Sequence, residues 1–277
     1  MNRTRLHWAL IAGTAAAVGV GAALGTRAVT QLVDSTLPDA RGIASFNRPG
    51  TITLLSSQGK IIQKLGPATR EKIKPGAMPP LVQNAFIASE DRRFFQHDGV
   101  DAWGIARAVV TNVRQGAVRE GASTITQQLA RIVFLSQDRT ITRKLKEAAL
   151  ALKLERQLSK QQILEQYLNY VYLGSGAYGV SDAAWIYFSK TTDQLTVAEA
   201  ALIAGLPPAP SIYSPLVNPD LARKQRALVL DRMAQSGAIS RVEAERASAS
   251  PLALKPATPK YFNSSAPYFT TWVAQEL

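Results

Sequence analysis

Residues 81–101 read LVQNAFIASEDRRFFQHDGVD. The apolar run from Leu81 to Ala88 fits a helix whose end presents two adjacent carboxylates, Glu90 and Asp91. The helical pattern begins after Pro79-Pro80 and continues to about residue 248. Three helix starts carry a capping box, in which a hydroxyl side chain and a Glu or Gln three residues on satisfy each other's backbone N–H groups: Ser159 with Gln162, Thr196 with Glu199, Ser240 with Glu243. Asn218-Pro219 fits an N-cap followed by proline at the first helical position, and Gly237 the matching stop. The break Leu206-Pro-Pro-Ala-Pro210 separates two helices. Upstream, Thr51-Ile-Thr-Leu-Leu, then Ser56 to Gly59, then Lys60-Ile-Ile read as a hairpin. Downstream, Pro251, Pro256, Pro259 and Pro267 predict an extended tail. The pattern is mainly α with a minor β lobe.

Composition narrows the chemistry. The 277 residues include 32 Lys plus Arg against 20 Asp plus Glu, a net charge of +12 that favours phosphorylated or otherwise anionic partners. There is no cysteine, which excludes disulfides and thiolate metal sites. The two histidines, His7 and His97, are too few for a histidine-rich metal site, and any Ser-His-Asp triad would need His97.

Trp8 to Thr26 holds no charged residue and is long enough to span a bilayer core. Arg3 and Arg5 before it place the N-terminus in the cytoplasm and the remainder outside, on the positive-inside rule. A cleaved signal peptide ending near Ala22-Ala23 and a buried core helix are the competing readings. The anchor reading divides the chain into a cytoplasmic tail (1–7), a transmembrane helix (8–26), a connector with a small β lobe (27–76), a helical core (77–250) and an extended tail or linker (251–277).

Three segments carry candidate chemistry. In the first, Glu90 and Asp91 are followed by Phe94, Phe95, His97 and Gly99. Phe94 and Phe95 form an apolar wall in this reading, and a carboxylate beside apolar rings is desolvated, which raises its pKa and suits it to act as a general base. The competing reading is a surface cluster of ion pairs. In the second, Gly121 permits close backbone approach, and Ser123, Thr124, Thr126, Gln127 and Gln128 crowd hydrogen-bonding side chains at a helix start. Such a cluster suits sugar hydroxyls and phosphate, though Ser123 or Thr124 could equally be a plain cap. In the third, Arg139, Arg143, Lys144 and Glu147 lie in a basic stretch that also includes Arg131. Arg143 and Lys144 share a helical face with Glu147, which fits either a surface salt-bridge pair or a diphosphate cradle organised by Glu147.

Together these segments resemble the peptidoglycan glycosyltransferase family, the transglycosylase module of class A penicillin-binding proteins and monofunctional transglycosylases. Glu90, Asp91, Phe94, His97 and Gly99 match its first motif; Gly121 through Gln128 match the second; Arg143, Lys144 and Glu147 match the third. Ile163 to Asn169, Gly174 to Lys190 and Ala198 to Pro215 match further segments in the family's order, and the similarity runs from about residue 50 to 245. Ile132, Ser189 and Gln225 depart from the usual Asn, Gly and Arg. The resemblance implies a lysozyme-like helical glycosyltransferase fold, with Glu90 as general base and Glu147 as second catalytic carboxylate. It further implies substrate contacts by Asp91, Phe94, His97, Gly121, Ser123, Thr124, Gln127, Gln128, Arg131, Arg139, Arg143 and Lys144. The expected substrates are lipid II and the growing glycan strand, joined with inversion and release of lipid diphosphate. A divalent ion, magnesium or manganese, is allowed by the resemblance and not shown by the residues. Membrane lipids and other cell-wall synthesis proteins are the expected partners, the inner membrane with the domain on its periplasmic side the expected location, and nucleic acid is not expected. The ending Ala266 to Leu277 is similar to the approach to a transpeptidase domain, so the chain reads as the front part of a longer enzyme.

The rival motifs are weak. Gly174-Ser-Gly-Ala-Tyr-Gly179 spells a dinucleotide fingerprint but follows a helical pattern rather than a strand. Ser57-Gln-Gly-Lys60 spells the acylating motif of transpeptidases, yet it falls in the hairpin with no suitably spaced companions, so transpeptidase activity is not expected. A lysozyme-type hydrolase and a non-catalytic glycan-binding membrane scaffold remain as alternatives.

Overall fold

The computed structural model describes residues 37–38, 40–43, 52–65, 72–105, 107, 123–135, 141–257 and 264–276. Residues 1–40 and 41–277 form separate units, and everything below concerns the second. The expected anchor (8–26), Gly121 and Arg139 lie outside the described residues, among which no helix is long and apolar enough to cross a membrane.

The hairpin is present. Strands β1 (Ile52–Leu55) and β2 (Ile61–Leu65) pair antiparallel, and Gly59 turns the chain with φ +76°. Ser56 Oγ accepts from the N–H groups of Gln58 and Lys60, so the Ser57 to Lys60 segment is an exposed turn.

The helices with described bounds are α1 (Pro80–Glu90), α2 (Ile125–Phe134), α3 (Ile141–Gln157), α4 (Lys160–Tyr170), α5 (Val180–Phe188), α6 (Val197–Ala204), α7 (Pro210–Tyr213), α8 (Pro219–Gln235), α9 (Arg241–Ala249) and α10 (Pro267–Glu276). All three capping boxes read from the sequence form. Asn218 does not cap α8 with its side chain; Pro219 starts that helix, while Asn218 Nδ2 donates to the Ile212 carbonyl. The tail is not wholly extended. Pro267 occupies the first turn of α10 instead of breaking structure, because proline lacks only an N–H that a helix start leaves unpaired anyway.

Helices α1, α6, α8 and α9 make one packed group, and α2, α3 and α4 another. Helix α6 is central to the first: Glu199 to Ala204 are buried in succession, as expected for a helix surrounded by others. Its single acid, Glu199, is neutralised by Lys190 at 2.8 Å. Between the groups, the Phe86 ring of α1 meets the edge of Tyr167 of α4, both fully buried.

The Gly174–Gly179 loop joins α4 to α5 with no preceding strand, only an isolated bridge between Tyr172 and Tyr178. A Cβ on Gly174 would lie 2.3 Å from the Pro210 carbonyl oxygen, and one on Gly179 would lie 2.4 Å from that of Asn169. These glycines permit close backbone packing, and the dinucleotide reading has no support.

Candidate active site

The site is built around the start of α2. Thr124 caps the helix: its hydroxyl accepts from the Gln127 N–H, and Gln127 Oε1 accepts from the Thr124 N–H, both at 3.1 Å. The Thr124 hydroxyl also donates to the Gly99 carbonyl at 2.6 Å. Both side chains are nearly fully buried, and their hydrogen bonds hold the framework together.

Asp91 reaches the same helix end from α1. Its Oδ2 accepts the Ile125 N–H at 3.0 Å, a carboxylate placed where a helix leaves backbone donors unsatisfied. His97 Nε2 lies 3.1 Å from both Asp91 oxygens, while His97 Nδ1 accepts from the Gly99 N–H at 3.2 Å. Since Nδ1 is the acceptor, the proton sits on Nε2 and points at the carboxylate. Gly99 has φ +94°, and a Cβ there would stand 2.8 Å from the Ala151 carbonyl oxygen of α3. The acidic, histidine and glycine positions of the first motif thus dock the end of α1 onto α2 and α3.

Glu90, the last residue of α1, is held from α2. Gln128 Nε2 donates to Glu90 Oε2 at 2.8 Å, and Gln128 Oε1 accepts from the Tyr167 hydroxyl at 3.0 Å. Glu90 Oε1 has a longer contact, 3.4 Å, from the Ser89 hydroxyl. The residue is half-buried, and desolvation by its surroundings raises its pKa. The Gln128 bond, the Arg232 charge and the Ser89 hydroxyl pull it back, while Asp91 adds to the rise. Burial holds the Tyr167 phenol well above its ordinary pKa, with the Glu90 charge contributing, so Tyr167 remains a donor.

The two rings expected as an aromatic wall differ in burial. Phe95 is 60% exposed, and Phe94 is fully buried with its ring edge-on to Phe95 and His97 and beneath the Lys160 ammonium.

The basic segment joins at the other side of the cap. Glu147, 1% exposed, accepts from Arg143 Nη1 and from Lys144 Nζ, each at 2.7 Å. Lys144 Nζ also donates to Ser123 Oγ at 2.9 Å, just before the Thr124 cap. About 6 Å of helical rise separates that cap from Gln128. Arg131 is exposed on α2, and its charge reaches Tyr167. Among the described residues no set of three His, Asp or Glu side chains could hold a metal. Each Glu147 oxygen already faces a cation, so this carboxylate does not fit a protein-made metal site, and no step below uses one.

Two residues of the site went unread in the sequence. Tyr167 sits on the buried stripe of α4 between Ile163, Leu164 and Leu168, a phenol among aliphatic side chains; that was the available signal. Arg232 is far away in sequence and has no local signal.

The Transglycosylase family model matches residues 58–234, which include Glu90, the α2 cap and the Arg143–Glu147 cluster. The chain belongs to the transglycosylase family. Penicillin-binding protein 1A of Neisseria lactamica is 45% identical over 241 residues, 87% of this chain and 30% of that protein. Penicillin-binding protein 1A of Aquifex aeolicus is 44% identical over 219 residues, 79% of this chain and 30% of that protein. This transglycosylase chain therefore spans about 30% of the length of those relatives. A crystal structure of penicillin-binding protein 1A from Haemophilus influenzae aligns with 83% of the chain at 25% identity, with a TM-score of 0.46, too low to define the fold.

Proposed function

We propose that this transglycosylase domain polymerises lipid II into glycan strands, with Glu90 as the general base. The observation that carries the reading is the Glu90 carboxylate, one oxygen held by Gln128 and, through it, by Tyr167, on the helix whose start bonds Lys144 through Ser123. With Oε2 engaged by Gln128, Oε1 is the oxygen placed to take a proton.

In the proposed reaction, Glu90 Oε1 removes the proton of the acceptor sugar 4-hydroxyl. That oxygen attacks the anomeric carbon of the donor from the face opposite the diphosphate. The carbon–oxygen bond to the diphosphate breaks with its electron pair leaving on lipid diphosphate, which inverts the anomeric centre. The proton rests on Glu90 until water carries it away. A diphosphate is a stable anion, so its departure calls for positive charge more than for a second acid. Arg143 and Lys144 can supply that charge, with Glu147 keeping both side chains in place. Leu145 and Leu152, 67% and 44% exposed on the helix that carries them, support an approach to the membrane where a lipid-linked substrate resides. The proposed location is the inner membrane, with this domain on its periplasmic side.

The test is incubation of the detergent-solubilised protein with radiolabelled lipid II. Glycan strands accompanied by one lipid diphosphate per linkage are expected. Hydrolysed disaccharide in place of strands would instead make it a hydrolase, and lipid II bound but unchanged would make it a scaffold.

A further inference from the structure

The first motif is held from an unexpected quarter. Helix α8 packs on α1, and its last turns reach the residues on both sides of the Glu90–Asp91 pair. Arg232 Nη1 donates to the Ser89 carbonyl at 2.7 Å, immediately before Glu90. Gln235 Oε1 accepts from Arg92 Nη1 at 3.3 Å, immediately after Asp91. The Ser89 carbonyl is in the last turn of α1, where backbone acceptors run out of helical partners and the helix end is negative. A guanidinium there stabilises that end and brings a positive charge to the residue next to Glu90. Arg232 makes no ion pair among the described residues, and its Nε is buried without a hydrogen-bond partner. Its guanidinium is held by the Ser89 carbonyl and is not drawn to another carboxylate there.

We propose that Arg232 is a positioning residue for glycosyl transfer: it fixes the end of the Glu90 helix through the Ser89 carbonyl and keeps Glu90 ionised. This rests on the reading of Glu90 as the base. A carboxylate with nothing to offset its burial holds its proton more tightly and is less free to accept another. The electrostatics agree in direction, since the Arg232 charge lowers the Glu90 pKa against the rise caused by burial.

The other groups around Glu90 leave this task to Arg232. Asp91 on the same segment repels it, and Gln128 from α2 is neutral. Tyr167 from α4 is a neutral phenol, and the exposed Arg131 of α2 acts on Tyr167. Helix α6, which also packs on α1, carries only Glu199, and that is bound by Lys190. On α8 itself, Asp231 faces Gln235 and Arg241.

The experiment compares wild type with Arg232→Gln, which retains a donor for the Ser89 carbonyl but no charge, and with Arg232→Lys, which retains the charge. Two readouts are used on protein shown to be folded by circular dichroism. One is the pH dependence of kcat for lipid II polymerisation. The other is a titration of carboxyl-labelled glutamate by NMR, with the Glu90 resonance assigned by its loss in Glu90→Gln. For Arg232→Gln the acid limb and the Glu90 midpoint both move to higher pH, and the rate recovers toward that of wild type on the alkaline side. For Arg232→Lys both stay near wild type. A folded Arg232→Gln whose midpoint and acid limb stay in place would overturn the proposal, as would an equal loss at every pH in both variants. If Arg232→Gln does not fold, Arg232→Lys decides: it must match the wild-type profile. Because the NMR midpoint needs no turnover, it tests Arg232 even if the protein fails to polymerise lipid II, which would count against the functional reading alone.

Discussion

Replacing Tyr167 by Phe removes one oxygen from a fully buried ring and leaves the packing volume nearly unchanged. The loss is therefore that of a hydrogen bond rather than of a cavity. The Tyr167 hydroxyl donates at 3.0 Å to Gln128 Oε1, and the variant leaves that buried acceptor without its donor. An orphaned buried polar atom costs about 1–3 kcal/mol. For a domain of this size each kcal/mol lowers Tm by about 2–4 °C, so thermal unfolding should shift down by roughly 2–12 °C. Activity should change as well, because the same bond fixes which end of the Gln128 amide faces Glu90. With that amide free to turn, the donor on Glu90 Oε2 is present only part of the time. The Gln128 bond lowers the Glu90 pKa, so weakening it moves the acid limb of the rate profile upward. The rate at neutral pH should fall by up to about tenfold, equivalent to ~1.4 kcal/mol. A double-mutant cycle with Gln128→Leu isolates the pair and should show a coupling above ~0.5 kcal/mol. An unchanged Tm and pH profile in Tyr167→Phe, or strict additivity with Gln128→Leu, would refute the link between the two residues.

Other outcomes follow from the same structure. Glu90 has a raised folded-state pKa, so the native state holds that proton more tightly than the unfolded chain, and stability falls as pH rises from the ordinary glutamate range through the folded value. Glu90→Gln does not titrate there and should melt above wild type at neutral pH, the gap closing below about pH 4; a less stable Glu90→Gln at pH 7 would contradict this. Gly99→Ala combines a positive φ, ~1–2 kcal/mol, with overpacking against Ala151, ~1–3 kcal/mol, so denaturant unfolding should show a loss of roughly 2–5 kcal/mol. An alanine variant as stable as wild type would mean that the backbone there is not so confined. Ser189 stands at the left-handed end of α5 with φ 56°, where the family usually has glycine, and its hydroxyl donates to the Lys255 carbonyl at 2.8 Å. In Ser189→Gly the relief of strain, ~1–2 kcal/mol, is offset by glycine entropy and the lost bond, each ~0.5–1 kcal/mol, so stability should stay within about 1 kcal/mol. Ser189→Val, which restores neither advantage, should be clearly destabilised in the same assay.

The local devices of the fold were legible in the sequence because short-range chemistry fixes them. A hydroxyl three residues before a Glu or Gln can satisfy two backbone donors by itself, and the boxes at Ser159, Thr196 and Ser240 all formed. The Ser56–Gly59 turn was legible for the same reason. The readings that failed depended on context. Pro267 begins a helix instead of ending structure, and Asn218, though it does stand at the N-cap before Pro219, starts α8 without a side-chain cap bond. In the site, the i,i+3 and i,i+4 spacing predicted the Lys144–Glu147 and Arg143–Glu147 pairs. Spacing could not show that Lys144 would reach back to Ser123, that Asp91 would cap α2, or that Arg232, 143 positions beyond Ser89, would grip that residue. Those contacts belong to the packing of α1, α2 and α8, on which a local pattern is silent.

Polymerisation of labelled lipid II by wild type and Glu90→Gln, side by side on protein of equal fold and lipid II affinity, tests the central claim most directly. Long glycan strands are expected from the wild type and a rate lower by about 10²–10⁴ in the variant, the usual contribution of a general base. A Glu90→Gln variant that polymerises at the wild-type rate would contradict it.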